Sequence, residues 1–412
     1  MTTFEHFGGQ RIGWHPNGHS LATVGWDRRL IWQETSKDGF RLTTQADARV
    51  VQFSADGKRL AFEPSHGQVG LMEVALPAVF HEWQGTAPPD EEAFALDVSP
   101  DGLLVATSSS RGVHLWDAKA REQIDYIGLP NRMWFVTVFF HPDGRSVFYS
   151  AVGVGVRQVE LARPAETQAG EARARFGSSR QLGDGTGFVI HEFAPDARSL
   201  VVGENRRQGK NEETPPVFWL WPDADANRAQ KLAENFPATG YRLTRDGRWG
   251  YSTHLTTPDV WIWDPATGER VRSLGVKFPA GATPSPDGRW LLIATREQYQ
   301  LWEVGSWRPG PRWPIPIAEQ GRWLVAFSPD SRLVAVASAS GVIELRALPG
   351  ATEVLRLPPP QQTPLQGLRF SPDGTRLLVL NANGRLLDWN LVKLRSELAA
   401  LRLDWDPVRV PQ

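Results

Sequence analysis

The chain has 412 residues, no cysteine and a formal net charge of −1 at pH 7. That balance leaves no global field to draw it onto nucleic acid or an anionic membrane, and the absence of cysteine excludes disulfide and thiolate chemistry. An apolar fraction of 41 % is ample for a core, while 18 Trp, 38 Gly and 32 Pro favour short strands joined by tight turns.

The first residues, MTTFEHFGGQRIGW, carry neither a basic leader nor a long apolar run. No window reaches the length of a membrane-spanning helix, so a cytoplasmic chain without membrane contact is expected. From there an apolar strand runs nine times into a tight turn and out into a second apolar strand. The turns read HPNG at 15–18, SADG at 54–57, SPDG at 99–102, HPDG at 141–144 and APDA at 194–197. TRDG at 244–247, SPDG at 285–288, SPDS at 328–331 and SPDG at 371–374 follow. Their third residues are 39, 45, 42, 53, 50, 41, 43 and 43 positions apart, a near-constant period that marks a repeat array.

The third repeat shows the unit. Phe94, Leu96 and Val98 alternate with smaller or polar residues, as in a strand with one buried face. Pro100 presets φ for the turn, Asp101 bonds nearby amides and Gly102 takes a conformation that a Cβ resists. Residues 103–107 form an apolar run suited to a strand covered on both faces. Val113, Leu115 and Trp116 belong to a third strand and residues 123–127 to a more polar fourth. The unit is therefore a four-stranded meander, with strands a, b, c and d in chain order. Trp32, Trp116, Trp221, Trp263, Trp302 and Trp389 recur at one place on strand c, where a large ring packs between neighbouring sheets.

LWDAKARE (115–122) and IWDPATGE (262–269), each after an SPDG-type turn, resemble the WD-repeat β-propeller family. The resemblance implies four-stranded blades set radially around a channel. The family's Gly-His before strand a is missing, and its Asp at the b–c turn is matched only by Asp27. Its His–Ser/Thr–Trp–Asp network is therefore expected to be mostly absent, with apolar packing in its place. The degenerate repeats look like bacterial WD-repeat proteins. Residues 386–406 resemble the C-terminal tail of propellers in planctomycete-type bacteria, which are often joined to a Ser/Thr kinase.

The ninth repeat lacks strand d. After Trp389 the period changes to a helical one, with Leu391, Leu394, Leu398 and Leu401 on one face and Asn390 as N-cap. The expected fold is thus all-β, a single closed propeller of nine four-stranded blades over residues 1–390, with residues 2–7 supplying the missing outer strand. A short helix and tail follow at 391–412. The alternative is a seven-bladed ring of repeats three to nine plus two extra blades.

In this family the a–b and c–d turns lie on one face and the b–c and d–a loops on the other. Long loops gather on the second face, at 85–92, 129–134, 204–216 and 358–367, and long loops on a rigid scaffold are where recognition sits. Residues 160–187 hold strand d of the fourth repeat plus an excursion. Candidate partner-binding residues are Trp134 with Arg132, the cations Arg206, Arg207 and Lys210, and the acids Asp90, Glu91 and Glu92. No catalytic, cofactor or metal constellation stands out: His15, His141 and His191 sit at or near the repeated turns, and HExxH is absent. The expected function is a non-enzymatic, monomeric scaffold for protein partners. A small-ligand or peptide sensor tied to a bacterial signalling protein such as a Ser/Thr kinase is the alternative, and a propeller hydrolase a distant third.

Overall fold

The computed structural model describes residues 9–16, 18, 20–25, 29–34, 41–64, 68–73, 79–83, 91–163, 174–204, 207–208, 212–213, 217–233, 240–253, 259–277, 279–315, 324–338, 341–357 and 364–400. It is all-β, with one short C-terminal helix. Nine antiparallel sheets match the nine repeats. Among the described residues eight have four strands, and the second, of Val51–Phe53, Arg59–Phe62 and Gly70–Glu73, has three. Among the described residues no helix is long and apolar enough to cross a membrane.

Each repeat folds as its residues dictate. In the third, the strands are Ala93–Val98, Leu104–Ser109, Gly112–Asp117 and Glu122–Gly128. The Ser99 hydroxyl donates to Asp101 Oδ1 (2.6 Å) and accepts from the amide of Leu104 (2.8 Å), and Gly102 N–H returns to Ser99 O. Gly102 sits at φ +71°, where a side chain is strained. The turn therefore uses Ser, Asp and Gly for three separate reasons; of the nine copies eight keep the Asp and seven the Gly, and four keep all three.

Trp116 Nε1 donates to Thr107 Oγ1 at 3.0 Å, and Trp263 Nε1 to Ser252 Oγ at 2.8 Å. These two bonds occur in the two repeats whose sequences carry WDA and WDP. In the seventh sheet the matching strand-b residue is Ile293, and Trp302 Nε1 is buried without a partner. Thr107→Val should cost about 1–2 kcal/mol, because it strands the buried indole N–H. The check is chemical denaturation in the wild-type and Trp116→Phe backgrounds. An equal cost in both would show that the hydrogen bond contributes nothing.

Seven apolar clusters join the third to ninth sheets in order. The third meets the fourth through Leu104, Ala106, Val138 and Phe140, and the fourth meets the fifth through Phe148, Val156, Leu200 and Trp221. Phe218, Tyr241 and Leu243 join the fifth to the sixth, and Tyr251, Ile262, Leu291 and Ile293 join the sixth to the seventh. Leu292, Leu301, Phe327 and Val334 continue the series to the eighth, and Ala335, Leu345, Leu368 and Phe370 to the ninth. The last cluster returns from the ninth to the third, through Leu378, Leu380, Leu96, Val105 and Trp116. Sheets three to nine thus form a closed ring, and the first two pack on each other through Ala22, Val24, Val51, Phe53 and Leu60.

The outer strand of the ninth sheet is Phe80–Trp83. It pairs antiparallel with Leu386–Asn390, with Trp83 opposite Leu386 and Phe80 opposite Trp389. This corrects the closing role given to residues 2–7, which lie outside the described residues. The physical reason is side-chain fit. Trp83 is fully buried between the ninth and third sheets, Phe80 packs on Trp389, and Glu82 pairs with Arg385 at 2.6 Å. Of the two arrangements that nine repeats allow, the packing is that of seven sheets in the ring and two beside it.

Polar contacts reinforce the same seam. Asp388, buried on the ninth sheet, accepts from Arg376 Nε at 2.9 Å, while Arg121 of the third sheet reaches it at 3.4 Å. Arg376 Nη1 also donates to Ala118 O of the third sheet. The helix Leu391–Ala400 follows, capped by Asn390 Oδ1 on Lys393 N–H (2.9 Å), with Leu391 and Leu394 buried against the ring.

Candidate functional site

The strongest surface feature is built by the d–a loop between the third and fourth sheets. Its backbone is fastened to the b–c turn beside it: Leu129 N–H donates to Arg111 O and Met133 N–H to Ser110 O, both at 2.7 Å. That turn is held from below by Glu91. The buried Glu91 carboxylate takes the Ser109 hydroxyl and His114 Nε2 (3.0 Å), and Ser109 Oγ accepts from the amide of Gly112 (3.1 Å). Burial pushes the Glu91 carboxyl up, but the hydrogen bonds from His114 and Ser109 outweigh it and hold the group below the usual glutamate range. Tyr126 packs on His114 and donates its hydroxyl to Arg111 O (2.9 Å).

On this support Trp134 is 62 % exposed and Phe135 is 69 % exposed. The Arg132 guanidinium lies 5.8 Å from the Trp134 ring centroid, and Phe135 lies 6.1 Å from Phe94. Phe135 has φ +57°, a left-handed conformation that is unfavourable for a bulky residue and kept only where its surroundings enforce it. Because only Val136 separates it from the inner strand Thr137–Phe140, it stands where the loop enters the ring's inner wall. Exposed Trp beside Arg and Phe is the composition of binding hot spots.

The other sequence candidates fall apart spatially or chemically. Glu91 is turned inward, so it cannot meet a basic partner. Its burial follows from the hydrogen-bonding needs of the b–c turn. Glu92 is half-buried, its amide donating to Ser110 Oγ at 3.2 Å. Arg207 lies on a two-stranded ribbon, Arg207–Gln208 with Glu212–Glu213, that extends the b–c loop of the fifth sheet. Asp90, Arg206 and Lys210 lie outside the described residues. The long fourth step arises between strands Gly155–Ala162 and Arg175–Leu182, a c–d connection on the side of the repeated turns.

Ser109, His114 and Glu91 have the residue types of a hydrolytic triad but not its geometry. Both Ser109 Oγ (3.4 Å) and Glu91 face His114 Nε2, while Nδ1 faces Gln123 (3.2 Å). A triad needs the carboxylate on the nitrogen opposite the nucleophile. Among the described residues no group of His, Asp and Glu has metal-site spacing. The acids of the inner strands are likewise engaged: Asp97 accepts from the amide of Phe140 (2.8 Å) and Glu192 from that of Leu243. Each ties its sheet to the next.

Sequence reasoning found Trp134 and missed Phe135. Two adjacent aromatics cannot share one face of a strand, and neither falls at the buried positions before a turn, so the signal was present in the dipeptide. Residues 87–117 match the family model for the WD domain, G-beta repeat. This span holds Glu91, the inner strand, the SPDG turn and Trp116, the repeat that also carries the Thr107–Trp116 bond. No curated protein matches the chain.

Proposed function

We propose that this chain is a non-enzymatic scaffold that binds a protein partner on its b–c/d–a face, with Trp134 and Phe135 as anchors and Arg132 beside them. WD repeats generally mediate protein–protein interactions, which supports the class. The single observation that carries the site is two neighbouring aromatics, both more than 60 % exposed, on a loop fixed by backbone hydrogen bonds and a strained Phe135. Pre-ordering such side chains lowers the entropic cost of binding.

Crosslinking with mass spectrometry on cell lysate, using wild type, Trp134→Ala/Phe135→Ala and Leu103→Ala, tests the assignment. Leu103 is exposed on the opposite, SPDG face. The double variant should lose partner recovery by roughly tenfold or more, in line with anchor residues, while Leu103→Ala keeps it. Equal recovery from the double variant and wild type would sink the assignment.

A further inference from the structure

The first two sheets stand beside the ring and break its packing rule on both sides. On strand a, the residues one and three places before the turn face the preceding sheet. Val51 and Phe53 lie against the first sheet, Val138 and Phe140 against the third, Tyr241 and Leu243 against the fifth, and Leu368 and Phe370 against the eighth. The same two places on the first sheet hold Ile12 and Trp14, which are 63 % and 59 % exposed. They share one face, Ile12 opposite Thr23 and Trp14 opposite Leu21, while Gly13 abuts Val51 on the other. The far face of the second sheet is also open. Leu71, opposite Ala61, is 60 % exposed, and Val69 lies exposed beside it, whereas Leu60 and Met72 turn toward the first sheet.

Two stacked sheets with an apolar front and an apolar back are a wedge of a ring. Water contact with such residues is unfavourable by roughly 25 cal/mol per Å2 of apolar surface, so both faces favour a partner. We propose that copies of this chain associate front to back through the wedge, Ile12 and Trp14 of one copy covering Leu71 and Val69 of the next. A second copy fits because each chain carries both halves of the contact. The contact also continues the packing that already joins the first sheet to the second. Such a heterologous contact closes only by rotation. Two to four copies would bring four to eight wedge sheets together, the range of blades that closed propellers span. The self-association replaces the monomer expected from the sequence and is independent of the Trp134–Phe135 site.

Sedimentation velocity on the whole chain over a concentration series tests this. The expected mass is two to four times the 45.9 kDa of one chain, reduced to one chain by either Trp14→Glu or Leu71→Glu. Mixing the two variants should produce a dimer, because one retains the back and the other the front. That recovery also shows that both variants are folded. A wild-type chain that stays monomeric at every concentration overturns the proposal, as does an oligomer that survives Trp14→Glu. A mixture that stays monomeric overturns the front-to-back pairing.

Discussion

Trp83→Ala is expected to lower stability by about 3–5 kcal/mol, the cost of emptying a large, fully packed aromatic site. Trp83 has 1 % of its surface exposed and sits where the ninth sheet meets the third. Its ring also lies under the Arg376 guanidinium, 5.5 Å from the centroid, and Arg376 carries the link to Asp388 and Ala118. The loss therefore spreads along the seam. Urea unfolding measures the size of the effect, and hydrogen exchange locates it: protection should fall first in Ala93–Val98 and Leu386–Asn390. Leu103→Ala, which removes an exposed side chain, serves as the contrast. A cost for Trp83→Ala no larger than for Leu103→Ala would mean that the seam is not what closes the ring.

Glu192→Gln is expected to stabilise the protein at pH 8 by up to about 3 kcal/mol relative to wild type, and to change little at pH 4.5. Burial raises the Glu192 carboxyl from 4.5 to about 7, with Arg242 working against it from 4.0 Å. The side chain is 16 % exposed. A folded-state pKa above the unfolded one gives a stabilising contribution that is complete below about pH 4.5. It is lost as pH rises through about 7, and each tenfold change in proton affinity corresponds to about 1.4 kcal/mol. Neighbouring His191 has the opposite slope. Burial lowers it to about 3, so its contribution is complete above 6.5 and is lost as pH falls toward 3. Over pH 4.5 to 6.5 the two offset each other in wild type, and the difference between variant and wild type isolates Glu192. Glutamine still accepts the Leu243 amide, so the hydrogen bond is kept. A pH-independent difference between the two melting profiles would refute the raised pKa.

The repeat itself was legible because its signals are local. Alternation at period two, the Ser-Pro-Asp-Gly turn chemistry and the strand-c tryptophans each act within a few residues, and the sheets formed where they predicted. Asn390 and the leucines after it likewise announced the final helix. The surviving Ser/Thr–Trp bonds were partly hidden. They depend on which strand-b residue stands two places beyond the cross-strand partner of the tryptophan, as Thr107 and Ser252 do and Ile293 does not. Glu91 read as a surface acid because the sequence shows its charge but not the Ser109 hydroxyl and His114 that draw it inward.

By itself the sequence determined the all-β class, the nine sheets, their turns and the exposed Trp134, since these follow from backbone conformation and the spacing of apolar residues. The tertiary structure decided which strand completes the ninth sheet, how many sheets the ring holds and that Phe135 stands open beside Trp134. Arg385 and Glu82 meet across 303 positions of chain. No local pattern in FHEW at 80–83 distinguishes an outer strand of the second sheet from one of the ninth. That choice is made by the shape of the space around Trp83, which exists only once the third and ninth sheets stand side by side.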